Sequence, residues 1–133
     1  MTLLLDTSVL VDVLRGRADV AARMREHRPS ELAVCSVVRA ELLAGAARRD
    51  DGGATRIGVE AMLGPFASHP FDDAAADRFA PLKALLERSG LPIGTNDLLI
   101  ASIAVARGLA VVTANLREFR RVPGLAVETW RAG

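Results

Sequence analysis

The chain has 133 residues, half of them hydrophobic, a quarter charged, and a formal net charge of +1. That length suits one domain with a buried core, and that hydrophobic share excludes a disordered chain. Cys35 is the only cysteine, so no internal disulfide can form and a reducing, cytoplasmic setting is expected.

Residues 2–5 read as a short apolar strand ending at Asp6. Thr7 or Ser8 stands where a cap is wanted for a helix to about Arg15, with Gly16 as its stop. Asp19 is the expected cap of a second helix, to about His27. Residues 32–35 form a buried strand, and Ser36 caps a helix over 37–48. After a loop at 50–54, another helix ends at Gly64-Pro65. Residues 67–71 are a third strand, and Asp72 or Asp73 caps a long helix to about Arg88. A turn-rich stretch precedes a helix over 96–107, closed by Gly108 where left-handed backbone is favoured. A β-branched strand at 109–113, a helical turn and a last strand at 126–128 complete the chain.

No repeat or domain-sized linker interrupts this order. Alternating strands and helices predict an α/β fold, a mostly parallel sheet flanked by helices, in a single domain over 1–133. The opening MTLLLDTSVLVDVL is interrupted by Asp6 and Asp12 and has no basic segment before it, unlike a signal peptide. The longest near-apolar run, 98–106, falls short of the roughly 20 residues of a membrane helix. No membrane association is expected.

Four polar residues fall at related places. Asp6 follows the first strand, Glu41 lies in the helix after the second, Asp97 opens a helix, and Asn115 stands just past the strand at 109–113. Ligands of open α/β sheets bind outside the carboxyl ends of the strands. Glu41 has Val37, Val38, Ala44 and Gly45 as its helical neighbours, and Asp97 has Ile100 and Ala101. A carboxylate on an apolar face needs a partner. That partner is either a distant arginine or a cation shared among acids.

Two carboxylates about 4 Å apart repel by roughly 4 kcal/mol at an effective dielectric near 20. Three together take up protons or a positive ion. An all-oxygen set suits magnesium or manganese, whereas one cysteine and two histidines cannot build the usual zinc shell. Metal-assisted attack on a phosphodiester needs no histidine. Arginines cluster at Arg15, Arg17, Arg23, Arg25 and Arg28 and again at Arg117, Arg120 and Arg121, while Lys83 is the only lysine. Guanidinium groups suit phosphate contacts, and equally suit solvated helix faces.

Four segments, LLLDTSVLVDVLRG, SVVRAELLAGA, LPIGTNDLLIASIA and VVTANLREFRRVPGLAVETW, resemble in order the PIN-domain ribonucleases of the VapC toxin kind. The resemblance spans nearly the whole chain. It implies a PIN-like three-layer fold and an endoribonuclease that needs magnesium or manganese. It also implies a cytoplasmic homodimer neutralised by a cognate VapB-type antitoxin. By position, Asp6, Glu41 and Asp97 match the first three acids of the family site, and Asn115 matches the fourth, often acidic, position. Thr113 matches a small hydroxyl residue that binds metal water or orients a carboxylate. Ser8 stands where asparagine is commoner, and Asn115 removes a charge that Glu118, one helical turn later, could restore.

The bland readings are specific too. Asn115 could simply cap the turn that follows it. Asp12, Asp72, Asp73 and Asp77 read as helix-surface or capping residues, Cys35 as a buried small hydrophobe, His69 as a loop or edge residue, and Trp130 as a core closure. The alternative functions are a receiver-like signalling module and a PIN fold that binds without cutting. The first wants a lysine after a late strand, where Thr113-Ala114-Asn115 stands instead. An apolar groove receiving an antitoxin segment, with a basic residue entering the acidic pocket, is a further expectation.

Overall fold

The computed structural model describes residues 2–133. Its centre is a parallel sheet of β1 (Leu3–Leu5), β2 (Leu32–Cys35), β3 (Ala67–His69), β4 (Ala110–Val112) and β5 (Val127–Glu128), in the order β3-β2-β1-β4-β5. Helices α1 (Thr7–Leu14), α2 (Ala18–Arg25), α3 (Ser36–Ala47), α4 (Ala54–Leu63), α5 (Asp73–Arg88), α6 (Thr95–Arg107) and α7 (Leu116–Phe119) flank it. The predicted α/β class and parallel sheet are what the structure shows.

The strand order follows from burial. Leu4 and Leu5 of β1, Ala33 and Val34 of β2, and Val111 and Val112 of β4 are fully or almost fully buried. Strands covered on both faces read as continuous apolar runs, and these three occupy the middle of the sheet. The strand β3 is largely exposed and forms one edge, with His69 on it as expected. From β1 the chain builds outward through β2 and β3, then returns to place β4 on β1's other side. The ends of β1 and β4 therefore flank the point where the winding reverses, the usual crevice of such sheets.

Several boundaries shift by a residue or two. Cys35, not Ser36, is the N-cap of α3, and α6 starts at Thr95 rather than Asn96. The N-cap of α2 is Arg17, while Asp19 sits in the first turn and accepts from the Val20 amide. Gly16 and Gly108 both adopt positive φ, 77° and 67°, so each ends its helix as expected.

One reading is corrected. Asp12 is a buried residue at 6 % exposure, not a surface one, and Arg131 grips it with two hydrogen bonds of 2.7 and 2.8 Å. Helical periodicity turns Asp12 inward, and only the tertiary return of the C-terminus supplies its cation. The neighbouring Ala132 amide donates to Asp19, and Trp130, 2 % exposed, stacks on His27 with ring centroids 5.3 Å apart. The last residues thus strap α1 and α2 to the sheet.

The Arg131 guanidinium holds the Asp12 carboxyl below the usual carboxylate range, against the opposing effect of burial. A folded value below the unfolded one stabilises the protein above the ordinary carboxylate range, and that contribution is lost as pH falls through the lowered value. Arg131→Ala should therefore lower the thermal midpoint by a few degrees at pH 7. The gap to the parent should close in acid, as thermal melts followed by circular dichroism across pH will show.

Candidate active site

Asp6 is the first residue past β1, and its amide extends the sheet by donating to the Val112 carbonyl of β4 at 3.0 Å. It is also the N-cap of α1, accepting from the Thr7 amide through Oδ1 at 2.8 Å. Its other oxygen, Oδ2, accepts from the Thr113 hydroxyl at 2.7 Å and the Ser8 hydroxyl at 2.9 Å. At 4 % exposure, such a carboxylate is stable only because these donors replace water.

From Asp6 the network extends in two directions. On one side the Thr7 hydroxyl donates to Glu41 Oε1 at 2.8 Å, fastening α1 to α3. On the other, Thr113 accepts from the Asn115 amide at 2.9 Å. The Asn115 side chain then donates through Nδ2 to Asp97 Oδ2 at 3.1 Å and to Glu118 Oε2 at 3.0 Å. Ser8 accepts from the Ala114 amide at 3.0 Å, which closes β4's end over α1. Glu41, Asp6, Asp97, Asn115 and Glu118 thus belong to one continuous hydrogen-bonded chain at the end of the sheet.

The structure separates the open readings of several residues. Asn115 occupies the cap position of α7 but makes no side-chain cap bond; its amide is spent on Asp97 and Glu118. Thr113, wholly buried, orients the Asp6 carboxylate. Glu118 joins the network beside Asn115. Thr7, read from the sequence only as a candidate cap beside Ser8, is instead the first residue of α1 with Asp6 as the cap, and its hydroxyl serves Glu41. His27 and His69 have no part in the network.

Electrostatically the site is acidic and uncompensated. Among the described residues no arginine, lysine or histidine forms an ion pair with Asp6, Glu41, Asp97 or Glu118. Burial, reinforced by the negative charge of Asp6 and by Glu118, pushes the Asp97 carboxyl up to about 7. Glu118 goes the other way, lowered chiefly by its bond from Asn115. As possible metal ligands the acids offer only oxygen, while Asn115 turns its nitrogen toward Asp97 and Glu118. Among the described residues, no three His, Cys, Asp or Glu side chains stand together as a ready-made metal cage. The acids are spaced along the network instead.

A groove of about 690 Å³ adjoins this network, with Thr7 and Glu41 among its walls. It runs between α1, α3 and α4.

The fold and this acid network define a PIN domain, and the chain belongs to the PIN domain family, whose pattern matches residues 3–125. Within that family it is similar to the tRNA(fMet)-specific endonuclease VapC of Salmonella typhimurium, 32 % identical over 96 % of each chain. It is also similar to ribonuclease VapC2 of Rickettsia felis, 32 % identical over 98 % of each. Among solved structures, the DNA-bound VapBC of Salmonella typhimurium superposes with a TM-score of 0.92 at 30 % identity, covering 98 % of this chain and 99 % of that one. VapBC2 of Rickettsia felis, bound to a promoter DNA fragment, gives 0.90 at 30 % identity, covering 98 % of this chain and all of that one.

Two outcomes test the network itself. Thr113→Val keeps the shape but removes a donor to Asp6 and an acceptor for Asn115, and should cost about 1–3 kcal/mol in urea unfolding. Asp97→Asn removes a charge held among like charges, so without divalent ions its thermal midpoint should exceed the parent's by a few degrees.

Proposed function

We propose that this chain is a metal-dependent endoribonuclease toxin of the VapC kind, a single domain over 1–133 that hydrolyses RNA phosphodiester bonds. The observation that carries this reading is the linked set of acids, without a basic partner, at the reversal point of the sheet. The names of the similar relatives support the ribonuclease activity, and family membership sets aside the receiver-like alternative.

Asp6, Glu41 and Asp97 would hold the cation, with Asn115 and Glu118 beside them. An oxygen-only, incompletely closed set fits magnesium or manganese, because magnesium keeps several waters and takes only one or two carboxylates. When bound, such an ion supplies charge against the phosphoryl oxygens and acidifies water.

The protein's own part is orientation and proton handling. Thr113, Ser8 and the Thr7 amide fix both oxygens of Asp6, and the Thr7 hydroxyl fixes Glu41. Asn115 holds Asp97 and Glu118 side by side through one nitrogen. With both histidines elsewhere, a proton leaving the attacking water passes to a site carboxylate. The raised Asp97 carboxyl belongs to the cation-free site; a divalent ion held there would offset the neighbouring negative charges and keep Asp97 ionised.

A VapB-type antitoxin is the inhibiting partner in this reading, supported by the VapBC complexes among the similar structures. A basic residue of that partner would find an acidic pocket without a cation of its own. We further propose a homodimer acting in the cytoplasm, where its RNA lies. No helix among the described residues is long and apolar enough to cross a membrane. Leu85 and Leu91, 38 % and 47 % exposed, offer apolar surface for self-association.

In a cleavage assay with magnesium or manganese, Asp6→Asn, Glu41→Gln and Asp97→Asn should each lose more than about 100-fold in rate while keeping the parent's circular dichroism. Chelation should silence the parent and added manganese should restore it. A folded Asp97→Asn variant cutting at the parent rate would refute the assignment and favour a PIN fold that only binds.

A further inference from the structure

The groove beside the network has a charge pattern that the acids do not explain. Helix α1 contributes Thr7, Val11, Leu14 and Arg15 to it, and α3 contributes a matching stripe from Glu41 to Arg48 and Arg49. Both stripes start at the Thr7–Glu41 hydrogen bond and end in arginine at the helix C-terminus. Along α3, Glu41 and Arg48 are seven residues apart, about 10.5 Å of helical rise on one face.

These three arginines are free. Arg17, Arg23, Arg39, Arg56, Arg107 and Arg131 each pair with a carboxylate. Among the described residues, the side chains of Arg15, Arg48 and Arg49 have neither an ion pair nor a hydrogen bond. Among the described residues Arg25, Arg28, Arg78, Arg88, Arg117, Arg120 and Arg121 also lack an ion pair, but none of them lines this groove. A concave wall concentrates field, so three cations facing one cavity act together. Helix dipoles alone account for cations at helix ends, but not for three converging on the cavity that opens at Glu41.

We propose that this groove carries the RNA backbone next to the cleavage point, with Arg15, Arg48 and Arg49 contacting its phosphates. The inference rests on the nuclease reading and names where its substrate lies. Charge favours an anionic occupant, and a phosphodiester strand, which the nuclease reading already supplies, has one negative charge per nucleotide to set against each guanidinium. The apolar floor of Val11, Leu42 and Val59 gives bases a surface away from water. No aromatic side chain lines the groove, so neither stacking nor strong sequence selection is expected within it.

The test measures binding apart from cleavage. A fluorescein-labelled 12-nucleotide oligouridylate is titrated by anisotropy against full-length Asp97→Asn protein in chelator, over a range of salt. Adding Arg15→Ala, Arg48→Ala and Arg49→Ala together should weaken binding roughly tenfold or more near 0.1 M salt. It should also flatten the plot of log affinity against log salt by about 2, the loss of three single-strand phosphate contacts. The triple lysine variant should keep most of that slope, and Arg78→Ala with Arg88→Ala should match the unmodified groove.

Parent-like affinity and slope in the triple alanine variant would overturn the proposal, as would an equal loss in the Arg78 and Arg88 control. So would a triple variant that binds RNA normally but no longer binds an inhibitory protein, since the groove would then be a protein dock. The nuclease reading fails separately: if the parent cuts RNA with magnesium and only the groove result is negative, that reading stands. If the parent neither binds nor cuts RNA, both fall.

Discussion

The site depends on the pairing of β1 with β4. Their register places Leu5 opposite Val112, so the next residues, Asp6 and Thr113, emerge together at the sheet's end. There the Thr113 hydroxyl meets the Asp6 carboxylate across 107 positions of sequence. Successive strand residues face opposite ways, so a slip of one would turn Thr113 from the acid and leave a buried carboxylate short of a donor. The core that fixes this register, Leu4, Leu5, Val111 and Val112, therefore places the acid network even though none of it is polar.

Built on that pairing, the acids are linked by hydrogen bonds without an ion pair to any cation among the described residues, an arrangement that costs stability. Asp97 bears the cost most visibly, its carboxyl raised by burial and by the charge of Asp6. Structural ion pairs in the same molecule show the contrast. Asp12, buried at 6 % exposure, is gripped by Arg131 and shifted downward. A buried Asp12 and a half-buried Asp97 thus have opposite surroundings, one neutralised by the chain and one without a cation paired to it.

The strap formed by Trp130, Arg131 and Ala132 acts on the same helix as the site. Asp6 caps the start of α1, and Asp12 near its other end receives Arg131. The Thr7–Glu41 bond joins that helix to α3. The groove between them thus has one wall held at both ends, by the acid network and by the C-terminus. A strand of RNA lying there would meet a wall set before it arrives, which lowers the ordering cost of binding.

The alternation of strands and helices, the apolar central strands and the three acids on or beside apolar faces were all legible in the chain, because strand and helix periods are local. Local signals also placed Gly16 and Gly108 at helix ends and Trp130 in the core. Asp12 was misjudged because its cation lies 119 residues away, and Asn115 could not be told from a simple cap because Asp97 and Glu118 reach it only through folding. Thr7 was read only as a cap, since a hydroxyl at a helix start usually serves the helix alone. The sequence by itself determined the apolar core strands and which acids lack an opposite charge nearby along the chain. Only the tertiary structure decided which acids share a network and which arginines line the groove beside it, since those placements depend on strand register and helix docking, which no local pattern encodes.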